Sequence, residues 1–586
     1  MPSTLSNHHF SGYLKNMANY SKPHICHCLT RLKTLKRNLT VTICGDRTKT
    51  GKEFVEDVLA LACGLSELRL RPGDVVAISA YNSDWYLEWL LAVAFIGGIL
   101  APLNYRWSFE ESRLSLEVVK PVMLVTDDCC GWYSELQNHI PSLRWHVFID
   151  SSSASSSTEG GLQFTNCNVL TTEILKKSFP KSLFFGYCWA PENIAIICFT
   201  SGTTGKPKGV TISHAALVVQ SLAKMAVIGY SEDDVYLHTA PLCHIGGISS
   251  AMTMLMAGGC HVFIPKFEAK STIEAIEQNR VTSLITVPAI MADLLSILRL
   301  KEKWLGRESV KKILNGGGSL SATIIKDAIK FFPRAKLLSA YGMTETCSSL
   351  TFMTLHDPEN ESSELLLQRI NESKSKSIHR PGGICVGKPA PHVEIMISGG
   401  YSSSTIGSIL TRGPHIMLRY WGQFQAMTSD PCREDWFDTG DVGQIDDRGN
   451  LWLMGRGNGR IKSGGENVYP EEVEAVLSQH PGICSVIVVG IADDRFSEMV
   501  VACIRIRESW QWIDSNANEC VRHSELCLSS EILKNYCKEK NFTGFKVPKK
   551  FIVWGKPFPV TSSGKLKRGQ VQREAVLHLQ SLPSRL

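Results

Sequence analysis

Residues Phe199-Thr-Ser-Gly-Thr-Thr-Gly-Lys-Pro-Lys-Gly209 constrain this chain more than any other stretch. Three glycines, four hydroxyls and two lysines fall within eleven residues. The apolar run Ile194 to Phe199 precedes them and reads as a buried strand. Ser213 follows as a cap for an apolar helix through Ala215-Ala-Leu-Val-Val219. Strand, glycine-rich loop and helix together make a cradle for an anion. Glycines let backbone N–H groups approach phosphate oxygens, hydroxyls add donors, and lysines add charge. The loop is not of the Walker A type, which needs four residues before its Gly-Lys and then Ser or Thr. Here two residues separate Gly202 from Gly205, and Pro207 follows the lysine. Gly382 to Lys388 has the Walker spacing, but Pro389 stands where the metal-binding hydroxyl belongs. A solvated surface loop is the alternative for 199–209; hydroxyls and lysines both at phosphate-binding positions argue against it.

A chain of 586 residues exceeds one ordinary domain, so at least two are expected. Its 44% apolar and 20% charged residues are those of a soluble globular protein. The net charge of +6 is spread along the chain, which argues against a nucleic-acid partner. Nineteen cysteines, an odd number without paired spacing, suggest reduced thiols. His24-Ile-Cys-His-Cys28 reads as a helix face, because no second ligand pair follows at zinc-finger spacing. The longest apolar stretch, Trp89 to Pro102, is too short to span a membrane and reads as a buried core helix. Residues 1–45 carry six Lys or Arg and no acids, a transit-like composition. Tyr20 to Leu39 also reads as the first amphipathic helix. Only the first sixteen or so residues look dispensable, and Met17 is an alternative start.

Strand-like runs alternate with helical ones through the first three quarters. Examples are Asp74 to Ser79, Val281 to Val287 and Lys336 to Ser339, with Pro288 opening a helix. This predicts an α/β body with mostly parallel sheets. Ser151 to Gly160, His356 to Pro381 and Arg507 to Ser530 read as solvated insertions. From Gly455 the texture changes. A Gly-rich basic stretch leads to a helix from Pro470 and to strands at Ser485–Gly490 and Val500–Ile504, a small α+β unit. The expected division is 1–454 and 455–586, with a hinge near Asn458.

Four further segments join the first in a fixed order. They are Tyr341-Gly-Met-Thr-Glu-Thr346, Phe437-Asp-Thr-Gly-Asp441, Gly455-Arg456 leading to Ile461-Lys-Ser-Gly-Gly-Glu-Asn-Val-Tyr-Pro470, and Pro559-Val-Thr-Ser-Ser-Gly-Lys565. With these five motifs the chain, from about 40 to about 570, resembles the adenylate-forming superfamily of acyl- and aryl-CoA ligases, luciferases and peptide-synthetase adenylation domains. The resemblance implies a large N-terminal domain of helix-flanked parallel sheets with a small β-barrel-like subdomain, then a mobile C-terminal lid. It also implies two steps: an acid is adenylated by ATP with Mg²⁺, and CoA then takes the acyl group.

Residue by residue, the resemblance implies that Thr200, Ser201, Gly202, Thr203, Thr204, Gly205 and Lys208 hold the β- and γ-phosphates. Tyr341 would stack on adenine, with Gly316, Gly317 and Gly318 lining that base. Thr344 would touch phosphate and Glu345 would hold magnesium, a cation that prefers oxygen. Asp441 would clamp the ribose, its other reading being a satisfied turn aspartate. Arg456 would add a nucleotide contact. Lys565 would bridge carboxylate and α-phosphate, then leave as the lid turns and Ser463, Gly464 and Gly465 line the CoA tunnel. His244 and Ser249 are candidates for the acid site, His244 also for a catalytic role; a buried, locally satisfied histidine is the other reading. The hinge departs from the family, with Arg456-Gly-Asn458-Gly459 where two acids usually follow the arginine. Gly407-Ser408 likewise stands where Gly-Glu is usual.

Leu314–Leu320, Tyr341–Leu350, Pro241–Gly247 and Ser463–Pro470 narrow the resemblance to ligases acting on an aromatic keto acid with a second carboxylate. Other aryl or fatty acyl-CoA ligases, an acyl-AMP ligase loading a carrier protein, and a non-catalytic nucleotide-binding protein stay open. No Gly-x-Ser-x-Gly elbow is present, which disfavours a serine hydrolase. Ser584-Arg585-Leu586 resembles a peroxisomal address read by an import receptor. With the basic N-terminus, this leaves peroxisome first and chloroplast open.

Overall fold

The computed structural model describes residues 22–581 apart from 128–132, 137–138, 151–167, 178–185, 202–206, 321, 361–383, 399–405, 424–435, 457–460, 469, 514–525, 541 and 560–567. Among the described residues a seven-stranded sheet runs in the order Asn168–Thr171, Trp145–Phe148, Met123–Thr126, Val75–Ser79, Ile99–Pro102, Ile194–Ser201 and Pro207–Ser213. Its pairs are parallel except the last. Val75–Ser79 is buried at every position, as a strand covered on both faces must be.

A second, thirteen-stranded sheet has a parallel centre. Thr40–Cys44, Cys260–Phe263, Val235–His238, Ser283–Thr286, Lys312–Asn315 and Lys336–Tyr341 pair in that order. The sheet then turns antiparallel through Thr351–His356 and Ile384–Pro389. Leu451–Arg456, Phe437–Ile445, Gly407–Arg412 and Glu394–Ile397 extend it. The anticipated barrel-like subdomain is thus an antiparallel extension of the main sheet, joined through Ile384–Pro389. That strand also contains the end of the Walker-spaced stretch.

The C-terminal domain has its own five-stranded sheet and its own buried core, including Val488, Val500, Leu477 and Leu533. Its long hairpin pairs Ile483–Asp493 with Ser497–Ile506, and Lys550–Val553 adds in parallel. The helix Pro470–Leu477 begins at its proline, where no backbone donor is needed.

Several expectations change. The phosphate-type loop does not run directly into a helix. An antiparallel strand, Pro207–Ser213, intervenes, pairing Thr200 with Lys208 and Ser201 with Pro207. The helix His214–Ile228 starts beyond it, capped by Ser213 accepting from the Ala216 N–H. The helix end is therefore a strand's length from the loop. The Trp89–Pro102 stretch is not one helix: Asp84–Phe95 is helical and Ile99–Pro102 is a strand. Gly97 takes φ +76° between them, a conformation that suits glycine and ends the helix. Among the described residues the expected Tyr20–Leu39 helix is represented by His27–Leu35, since Leu39 already leads into the strand Thr40–Cys44, while Tyr20 lies outside the described residues. Among the described residues no helix is long and apolar enough to cross a membrane. The three insertions lie largely outside the described residues, although Trp510–Trp512 and Leu526–Leu528 pair as short strands.

Candidate active site

A cavity of about 380 Å³ lies where the two large sheets meet the C-terminal domain. Its wall includes Thr200 and Pro207 beside the phosphate-type loop, and Gly316 and Gly317 after the strand Lys312–Asn315. Thr344, Ser348 and Ser349 follow the strand Lys336–Tyr341; His244, Gly246 and Gly247 open the helix Ile245–Ala257. Lys462, Gly464, Gly465 and Glu466 reach it from the C-terminal domain. Strand ends bring these residues together, as at other open α/β sheets.

The nucleotide candidates cluster around one connecting segment, residues 417–421. The Met417 N–H donates to the Glu345 carbonyl, and the Trp421 N–H to the Gly209 carbonyl. Tyr420 Oη donates to Glu345 Oε1 at 3.1 Å, and Lys208 Nζ sits 5.0 Å from the Tyr420 ring centroid. This couples the end of the loop hairpin to the carboxylate. Glu345 is 7% exposed, and its Oε2 is buried with no hydrogen-bond partner among the described residues. A buried, unpartnered carboxylate oxygen fits a hard cation such as magnesium, which typically takes one or two carboxylates and fills its remaining positions with phosphates and water. Among the described residues no group of three or more His, Cys, Asp or Glu offers an all-protein metal site.

Tyr341 and Asp441 are not on the cavity wall. Tyr341 Oη donates to Asp441 Oδ2 at 2.6 Å, and both are buried. Lys462 Nζ lies 5.6 Å from the Tyr341 ring centroid. Gly202, Thr203, Thr204, Gly205, Asn458 and Lys565 fall outside the described residues, as does Ser584-Arg585-Leu586. Ser201 and Arg456 are placed by their backbones, Arg456 opposite Asp441 in the ladder.

His244 is about a third exposed on the cavity wall, and its Nε2 is 2.9 Å from Glu466 Oε1. It is neither fully buried nor satisfied within its own domain. Arg106 Nη1 lies 3.6 Å from the same carboxylate oxygen, and Asn104 Nδ2 3.5 Å. Burial alone would raise the Glu466 carboxyl; His244 and Arg106 outweigh it and hold the group below its ordinary range. Ser249 does not reach the cavity. It is fully buried, accepting from Lys224 Nζ at 2.7 Å.

Ser463, Gly464 and Gly465 form the tip of a short hairpin. Gly464 and Gly465 have φ of +60° and +87°, backbone that side chains disfavour. This tip rests on Gly317, where an added Cβ would stand 3.3 Å from Gly465 Cα. The Gly316–Gly318 stretch therefore meets the C-terminal domain as well as the cavity.

Sequence reasoning missed Tyr420, Glu466, Arg106, Lys224 and the pair Ser348 and Ser349. Only Lys224 left a signal: with Gln220 it forms a polar i, i+4 stripe on the buried face of an apolar helix. The others acquire meaning only across elements far apart in the chain.

Residues 32–421 match the AMP-binding enzyme family, and residues 472–565 match the AMP-binding enzyme C-terminal domain. The chain is 55% identical over 577 residues to the chloroplastic/peroxisomal 2-succinylbenzoate–CoA ligase of Arabidopsis thaliana, covering 97% of this chain and 100% of that protein. It is also similar, at 26% identity, to the o-succinylbenzoate CoA synthetase of Bacillus subtilis. A double mutant of that enzyme with the product analogue OSB-NCoA superposes with a TM-score of 0.71, covering 94% of this chain and 98% of that one. With the acyl-adenylate intermediate OSB-AMP the score is 0.60, and with ATP and magnesium ion 0.59, at similar coverage. Motif order, a cavity walled by both domains and end-to-end similarity agree: the chain belongs to the AMP-binding enzymes.

Proposed function

We propose that this chain is an ATP-dependent 2-succinylbenzoate–CoA ligase, forming the thioester through an acyl-adenylate on the naphthoquinone route to phylloquinone. The observation that carries the reading is 55% identity across the full length of the Arabidopsis ligase. A carboxylate is a poor electrophile with a poor leaving group, and adenylation corrects both. The acid's carboxylate oxygen attacks the α-phosphorus of ATP, pyrophosphate leaves, and the CoA thiolate then displaces AMP from the acyl carbon.

The protein's part is positioning and charge neutralisation. Thr200, the loop hydroxyls Ser201, Thr203 and Thr204, the glycines Gly202 and Gly205, Lys208 and Thr344 hold the phosphates. Magnesium would neutralise charge on those phosphates, and Glu345 would be the carboxylate that holds it. Tyr341 and the Gly316–Gly318 backbone enclose adenine, Asp441 accepts from ribose hydroxyls, and Arg456 adds a nucleotide contact. His244 stands at the junction of acid and thiol. Lys565 stabilises the charge gathering at the α-phosphate. In the thioester-forming step Gly464 and Gly465 line the CoA tunnel from the position against Gly317 that they occupy here. The lid is 455–586, turning about a hinge near Asn458, and the first sixteen or so residues of the 1–454 unit form an extension. Ser584-Arg585-Leu586 directs the chain to peroxisomes, with the chloroplast as a second destination.

An ATP–pyrophosphate exchange assay over a panel of acids, followed by CoA, tests the reading. 2-Succinylbenzoate should give the highest specificity constant. A tenfold advantage for 4-coumarate or a fatty acid would leave only the family. A reporter carrying the last ten or so residues should enter peroxisomes, and removing Ser584-Arg585-Leu586 should stop it; unchanged import after that deletion rejects the address.

A further inference from the structure

Lys224 has no part in the chemistry above, yet it is fully buried in the helix His214–Ile228. Buried ammonium groups are normally paired with a carboxylate, because desolvation of an isolated charge is costly. Among the described residues this one meets hydroxyls instead: Ser249 Oγ at 2.7 Å, Ser250 Oγ at 3.2 Å and Ser348 Oγ at 3.4 Å. Elsewhere in the same domain, buried Lys49 has Asp57, Asp84 and Glu88 around it. Burial pulls Lys224 down to about 7. Cys347 is itself pushed up to about 12 by burial and stays neutral.

The hydroxyl nearest the cavity is built with care. Ser348 lies on the cavity wall beside Ser349 and takes φ +98°, a region a serine rarely adopts. Gly342 leaves room for this turn, since a Cβ there would collide with the Ser348 carbonyl. Ser348 Oγ and Ser349 Oγ are 3.4 Å apart. An oxygen that accepts from an ammonium keeps its own O–H free to donate onward. We infer that Lys224, acting through Ser348 and Ser349, is the positive end of the acid pocket and recognises the ring carboxylate of the substrate. Lys224 is a positioning residue: it supplies the charge, and the two serines donate to the carboxylate oxygens. The pocket so built prefers a diacid over the same acid without its ring carboxylate. This rests on the substrate proposed above.

The experiment compares 2-succinylbenzoate with 4-oxo-4-phenylbutanoate, which lacks only that carboxylate. Wild type and Lys224→Met are measured in ATP–pyrophosphate exchange. Methionine matches lysine in length and leaves no buried charge, and a thermal melt confirms that the variant folds. The ratio of specificity constants, diacid over monoacid, should fall on the order of 10–100-fold, the scale of one charge-assisted hydrogen bond. The fall should appear in KM for the diacid more than in kcat. Ser348→Ala should lower the same ratio by a smaller factor. An unchanged ratio in Lys224→Met, or equal losses on both acids, overturns the assignment and leaves the substrate intact. A wild-type enzyme indifferent to the ring carboxylate overturns the substrate reading, and the Lys224 assignment with it.

Discussion

The N-terminal body and the C-terminal domain are held internally by one kind of force and to each other by another. Inside the body, Trp89, Tyr86 and Phe54 are fully buried in a continuous apolar core. Inside the lid, Val488, Val500 and Ile504 do the same on a smaller scale. Between them, many of the contacts are polar or bare backbone. Glu466 meets His244 and Arg106, and Lys546 Nζ donates to Glu111 Oε1 at 2.7 Å. Arg495 pairs with Asp293, and Gly465 lies on Gly317. Glu111 also closes the capping box of the helix Phe109–Val119 with Ser108, and Thr543 donates to it. A large apolar interface would fix one arrangement. Polar contacts of this kind, the partly exposed Arg495–Asp293 pair above all, suit an interface that opens and closes, as the proposed two-step cycle requires.

The sharpest way to break this comparison is Lys565→Ala. It should cut adenylation on the order of 10²–10³-fold, the scale of one preorganised charge-stabilising group. Thioester formation from preformed acyl-AMP should stay near the wild-type rate, and rapid-quench measurement of each step decides. Equal loss in both would mean that the lid does not alternate. Gly465→Val should do the reverse. It forces a β-branched residue to φ +87° with its Cβ 3.2 Å from Val287, so the thioester step should fall on the order of 10–100-fold while adenylation survives.

Glu466→Gln should weaken the closed arrangement by roughly tenfold, read as a slower thioester step with pyrophosphate exchange spared. Its pH dependence has a definite sign. The carboxyl is held below its ordinary range when the domains meet, so it favours that arrangement fully above ordinary carboxylate pKa values. The contribution is lost as pH falls through the lowered value, and the acid limb of the thioester step should vanish in Glu466→Gln. Arg495→Ala should have the smallest effect. Its pair with Asp293 is partly exposed, so a change of at most about 1 kcal/mol, shrinking further in salt, is expected in the closed-state population.

Much of the body was legible from local patterns. Val75–Ser79 announces itself as a continuous apolar run, Pro288 as a helix start, and Ser213 as a cap. Such signals depend on neighbours along the chain. The reading failed where one local pattern had two tertiary solutions. Pro207–Ser213 is one case, because an apolar segment after a glycine loop suits a hairpin strand as well as the approach to a helix. Trp89 to Pro102 merged a helix and a strand because both are buried on all sides, which removes the periodicity that separates them.

By itself the sequence determined the chemistry on offer: which segment offers glycines, hydroxyls and lysines together, which carboxylates are available, and their order along two domains. Those are properties of contiguous residues, where spacing alone fixes what a loop presents. Only the tertiary structure decided which distant groups meet. Glu466 faces His244 across 222 positions, Tyr341 reaches Asp441 across 100, and Lys224 reaches Ser348 across 124. Such pairings depend on strand order and domain placement, and a single sequence does not encode them in any local period.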